Sequence, residues 1–163
     1  MRIADGAMLL AAAGSGLLLL SALAFQYLGG LAPCPICLWQ RWPHVAALAL
    51  AAIAISPAFR GSRVLRGLGV LAMLVSAGLA LLHTGVERGW WDGPSTCAVG
   101  QAPDLTTDQL LERIVNAPLV RCTEVAWEMW GLSMASWNGL ASLALAGLWA
   151  ASLRRQGSSS ASQ

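Results

Sequence analysis

Cys34-Pro35-Ile36-Cys37 is the stretch of this chain whose residue types most directly suggest chemistry. Two cysteines at this spacing can open and close a disulfide, and Pro35 suits the first turn of a helix. Cys37 would then lie within that turn, where the partial positive charge of a helix N-terminus favours the thiolate, the species that attacks disulfides and electrophiles. Arg41 follows Cys37 by four residues, so the two share a helix face, and a guanidinium there would further favour a thiolate or a developing oxyanion. His44 falls on the same face beyond Pro43, which leaves the Trp39 carbonyl without its usual donor and predicts a kink. His83, followed by Thr84, is the other ionisable group in an apolar run, placed to donate to a ligand oxygen at the depth of Arg41. Cys97 and Cys122 stand alone in a long polar segment. Four cysteines allow three pairings, and the residues alone do not choose among them; a bridge between Cys97 and Cys122 that only braces a loop is one reading. Their wide spacing argues against zinc, and no metal is expected.

The elements that must position these residues are membrane helices. Of 163 residues, 56% are hydrophobic and only 11% charged, against roughly 25% charged in a soluble domain. The run from Met8 to Leu28 is uncharged, Gly67 to Val86 contains only His83, and Leu132 to Leu153 is a third apolar run. Each is long enough to cross hydrocarbon. The uncharged stretch Val45 to Ser56 is too short alone and must extend back through Arg41 towards Cys34. The expected fold is therefore an all-α, four-helix transmembrane bundle in one domain over 1–163, with spans near 8–28, 36–56, 67–86 and 132–153. Arg2 and the first apolar run imitate a signal peptide, but the run is longer than a usual signal core, so a retained span is expected.

Charge sets the orientation. Arg60, Arg63 and Arg66 fall in the connection 57–66, Arg2 precedes the first span, and Arg154 and Arg155 follow the last, which marks these segments as cytoplasmic. The segment from Glu87 to Trp137 has seven acidic residues against three arginines and should face outward. Both termini are then inside, and all four cysteines share the outer side, on loops 29–35 and 87–131 or beside them. With a net charge of +2 and no dense basic cluster, nucleic acid is not expected as a partner.

Within the outer loop, Thr106 and Gln109 have capping-box spacing, with Leu105 and Leu110 as a hydrophobic staple. They predict a short amphipathic helix that ends before Pro118 and either lies on the bilayer or packs on the bundle top. Seven tryptophans, Trp39, Trp42, Trp90, Trp91, Trp127, Trp130 and Trp137, cluster near the outer boundary as an interfacial belt. The Ser-rich end, 156–163, reads as a disordered tail. A monomer is expected, with Gly14, Gly16, Gly69 and Gly78 available for helix packing.

Taken together, Cys34-Pro35-Ile36-Cys37-Leu38-Trp39-Gln40-Arg41, His83-Thr84, the single loop cysteines Cys97 and Cys122, and Leu132-Ser133-Met134-Ala135-Ser136-Trp137 resemble the DsbB family of disulfide-bond-formation membrane proteins over nearly the whole chain. That resemblance implies a bacterial inner-membrane dithiol:quinone oxidoreductase with two redox disulfides, Cys34–Cys37 and Cys97–Cys122. Cys97 would be attacked by a reduced periplasmic DsbA-like thiol oxidase, Cys122 would exchange with Cys34, and Cys37 would pass the electrons to ubiquinone or menaquinone beside Arg41 and His83. The quinol would then feed the respiratory chain. The vitamin K epoxide reductase type couples similar parts, but its loop pair precedes the membrane C-x-x-C, the reverse of the order here. A small transporter or assembly subunit with merely structural disulfides is the alternative from another class, and it gives no reason for Cys37 and Arg41 to share a face.

Overall fold

The computed structural model describes residues 3–94 and 122–160, with side chains from 5 to 94 and 122 to 154. Four helices follow in order, α1 (Ile3–Tyr27), α2 (Pro35–Ala54), α3 (Arg63–Glu87) and α4 (Met134–Ser160). A two-residue antiparallel ribbon, β1 (Glu128–Met129) with β2 (Leu132–Ser133), precedes α4. Each helix packs on the next, and α4 closes the ring against α1. The expected four-helix bundle is present.

Local chemistry explains where the helices start. Cys34 is the N-cap of α2, with extended backbone, and its Sγ accepts the Cys37 N–H at 3.2 Å while Pro35 supplies a first-turn residue with no N–H to satisfy. Ser62 caps α3 in the same way, its Oγ accepting the Leu65 N–H at 3.4 Å. The ribbon turns at Trp130 and Gly131, both with positive φ, and Arg88 Nη2 donates to the Gly131 carbonyl, tying the ribbon to the end of α3.

The interior is built from small side chains. Ala11 and Ala12 of α1, Ala47, Ala51 and Ala54 of α2, and Ala146 of α4 are buried around Met8, Met73, Leu145 and Trp149. Where no hydrophobic force separates helix from lipid, close backbone approach through small residues supplies the packing energy. Gly69 shows the limit: a Cβ there would run into the indole of Trp149, which is completely buried. Large apolar side chains point outward instead, among them Leu10, Leu17 and Leu20 of α1 and Leu71 and Leu81 of α3. In water these would form an unsupported apolar surface; against lipid tails they are at home. By length and composition α1 and α3 are each able to span a membrane. In α2, the polar Gln40 and His44 are buried, received by the bundle interior and not by lipid.

Some boundaries differ from expectation. The first helix begins at Ile3, ahead of the span expected from 8, and α4 continues to Ser160 through the stretch read as a tail from 156; extending a nucleated helix costs little per residue. Arg66, expected in the connection 57–66, lies in α3, fully buried, with Nη2 2.7 Å from Asp5 Oδ1. The helix expected at Thr106 lies outside the described residues.

Candidate active site

The site forms where the N-terminus of α2 meets the C-terminal end of α3. Cys34 and Cys37 are free thiols with sulfurs 2.7 Å apart, Cys34 buried and Cys37 half-buried. Cys34 Sγ already receives the Cys37 N–H and faces His83 Nε2 at 3.5 Å. It is therefore the better seat for negative charge, with the Cys37 thiol donating to it. The Cys34 thiol is accordingly held down at about 4, chiefly by that hydrogen bond from Cys37, against the opposing effect of burial and with further help from His83.

His83 is fixed on both ring edges. Its Nδ1 faces Gln40 Nε2 at 3.0 Å, and its Nε2 lies 3.6 Å from Glu87 Oε1 as well as near Cys34. Glu87 was counted among the outer acidic residues, but it is the last residue of α3, with a side chain only 4% exposed. Its spacing of four from His83 on one helix was the signal that could have found it. The sulfurs of Cys34 and Cys37 and a nitrogen of His83 lie within 4.8 Å of one another, which is also a soft-metal donor set.

A third cysteine joins them. Cys122 is completely buried and disulfide-bonded, and it packs in one cluster with Cys34, Ile36 and Val86, with Cys37 against it. Cys97 lies outside the described residues.

Beside the cysteines opens a cavity of about 400 Å³. Leu18, Ala22 and Phe25 of α1, with Trp127 and Trp137, give it apolar walls, while its polar groups include Cys34, Cys37, Gln40, Arg41, His44, His83, Glu87, Asn138 and a second carboxylate, Glu124. The shared face expected for Cys37, Arg41 and His44 is thus real, and His83 joins it from α3. Arg41 has no hydrogen-bond or ion-pair partner among the described residues, so its guanidinium is available on the polar side of the cavity. Such a cavity suits a flat, lipid-soluble ring bearing oxygen acceptors. Trp137 and Trp127 line it, so they are more than boundary anchors, whereas Trp42, Trp90 and Trp130 are largely exposed as a belt requires.

The family model for disulfide bond formation protein DsbB matches residues 4–152. The chain belongs to the DsbB family. Curated relatives of DsbB type, each named disulfide bond formation protein B, include one from Stutzerimonas stutzeri, 30% identical over 83% of this chain and 87% of its own. Another from Shewanella loihica is 35% identical over 71% and 69%, and one from Methylococcus capsulatus is 34% identical over 74% and 76%. No solved structure gives a significant match. For a DsbB-family chain the arrangement is apt: a thiol pair at a helix end touches a bonded cysteine on one side and an apolar cavity on the other. The structure brings the expected Cys34, Cys37, Arg41 and His83 together around this cavity, and it adds Gln40 and Asn138, which sequence reasoning did not single out and whose side chains meet across 98 positions.

Proposed function

We propose that this DsbB-family protein reoxidises a periplasmic DsbA-like thiol oxidase and passes the electrons to a membrane quinone. The observation that carries the reading is the burial of disulfide-bonded Cys122 in one cluster with Cys34 and Cys37, which themselves line a cavity together with Arg41 and His83. A thiol pair that only braced a loop would need neither neighbour.

In this reading Cys97 is the partner of Cys122, and a thiolate of the soluble oxidase attacks Cys97 to form a mixed disulfide while Cys122 leaves as a thiolate. Cys122 attacks Cys34 of the Cys34–Cys37 disulfide, and Cys37 leaves with the electron pair. The second thiol of the soluble oxidase then releases Cys97 as the oxidase closes its own disulfide, and Cys97 reforms its bridge with Cys122, freeing Cys34. The balance is one dithiol oxidised outside and one, Cys34 with Cys37, reduced at the membrane. Ubiquinone or menaquinone in the cavity would take the two electrons and two protons of that dithiol. Arg41 offers its guanidinium to the reduced oxygen, His83 holds a donor against Cys34, and the apolar walls exclude water. The respiratory chain receives the electrons through the released quinol.

Four spans with both termini cytoplasmic, in the inner membrane and surrounded by its lipid, place the cysteines towards the periplasm, and the working unit is a monomer. Exposed Arg60 and Arg63 between α2 and α3 and Arg154 at the end of α4 support that orientation. The test is quinone reduction by the purified protein supplied with a reduced DsbA-like dithiol, with Cys37→Ser as control. Reduction that the substitution abolishes is expected; no reduction with either quinone would overturn the reading.

A further inference from the structure

The chain contains two histidines, and one buried line of hydrogen bonds joins them. It starts at Cys34 Sγ and His83 Nε2, leaves His83 through Nδ1 to Gln40 Nε2, and continues where Asn138 Nδ2 donates to Gln40 Oε1 at 2.7 Å. Asn138 Oδ1 lies 3.1 Å from His44 Nε2, and beyond His44 stand Ser76 Oγ at 3.2 Å and Ser142. The line crosses α3, α2 and α4, so it is set by the assembled bundle and not by any one helix.

An amide has a donating end and an accepting end, and this gives the line a direction. Because Gln40 accepts from Asn138, it presents its N–H end to His83. Only a bare nitrogen receives an N–H, so the neutral His83 ring carries its proton on Nε2, the edge that faces Cys34 and Glu87. At the other end Asn138 Oδ1 can only accept, so His44 carries its proton on Nε2 and its Nδ1 is bare. That nitrogen is indeed buried without a partner among the described residues. Turning both amides round would put an unmatched N–H at His44 Nδ1, and would aim a lone pair of His83 at a carboxylate and a sulfur. Both consequences are worse than the observed sense, because a buried donor left unmade is costly and lone pairs repel.

We propose that Gln40 and Asn138 are positioning residues that lock His83 in its Nε2–H form, keeping a hydrogen-bond donor against the Cys34 sulfur, with His44 anchoring the far end of the lock. The purpose of that donor rests on the exchange reading above: a thiolate at Cys34 gains a charge-assisted hydrogen bond from N–H and would be repelled by a bare nitrogen. Asn138 is not hydrogen-bonded to His83, so its influence there travels through Gln40.

The test is 15N NMR of the full chain in detergent, labelled in its two histidines, with His44→Leu to assign the signals. The wild-type His83 should show a protonated Nε2 and an unprotonated Nδ1. Gln40→Met and Asn138→Leu should each give a mixture of the two tautomers, and alkylation of the reduced Cys34–Cys37 pair by a small haloacetamide should slow by about threefold to tenfold. A wild-type His83 protonated on Nδ1 would overturn the proposal without any variant. So would an unchanged His83 signature in both folded variants. Because the tautomer is read without quinone or partner, failure of the oxidase reading would leave this result standing, and the two are told apart.

Discussion

Cys34 Sγ lies 3.5 Å from His83 Nε2 although 49 positions separate the two residues. The contact exists because α2 begins, and α3 ends, at the same level of the bundle, and it gives the thiol pair a donor from outside its own helix. A cysteine capped only by its own helix would have the partial charge of the N-terminus; this one also has a ring.

The first prediction follows from that charge. The Cys34 thiol is shifted down from 9.0 to about 4, so its thiolate is present above about pH 4 and is lost as pH falls through that value. Alkylation of the reduced pair should stay nearly flat from pH 8 down to about pH 5 and drop below that, where an ordinary thiol loses about tenfold per unit throughout the range. His83→Leu removes one of the lowering influences and should move the drop to higher pH. Rates of haloacetamide labelling against pH decide it.

Arg41 is expected to act only at the cavity. Arg41→Ala should raise the apparent quinone KM by about tenfold, the loss of one charge-assisted hydrogen bond. The bridge at Cys122 should remain, as a count of accessible thiols before and after reduction would show. An unchanged KM would remove Arg41 from the mechanism.

Cys122→Ser should leave the entry sulfur without its resolving partner. Mixed with the reduced soluble oxidase, the variant should accumulate a covalent adduct through Cys97, visible on a non-reducing gel and located by peptide mass spectrometry. An adduct through Cys34 would mean that the entry pair is wrongly assigned.

Gly69 tests the packing. Gly69→Ala places a Cβ against the Trp149 indole, and overpacking of this kind costs about 1–3 kcal/mol. A lower midpoint of thermal unfolding in detergent is expected, while a Cβ at Gly78, which meets nothing within 4 Å, should leave the midpoint nearly unchanged.

What the sequence made legible was whatever local spacing encodes. Cys34 with Pro35 marks a helix start, Cys37 and Arg41 share a face by periodicity, and uncharged runs mark the helices of the bundle. What it hid was set by assembly. Nothing near Gln40 announces Asn138, because the two meet only after α2 and α4 have packed. Glu87 looked like one more acid of a polar loop, since its burial depends on what covers the end of α3. Trp149 was not part of the expected belt, and its depth is explained by the missing side chain of Gly69 across the helix interface. The strands of two residues each before α4 are too short to show any alternation, and they owe their form to the turn at Trp130 and Gly131.

At the opposite end of the bundle, the buried contact between Arg66 and Asp5 ties the third helix to the first across 61 positions. Because α1 precedes α3 in the chain, the acid is made before the arginine that it meets. A chain that lost its first helix would leave the buried Arg66 guanidinium without that acid, and removing one side of a buried ion pair is strongly destabilising.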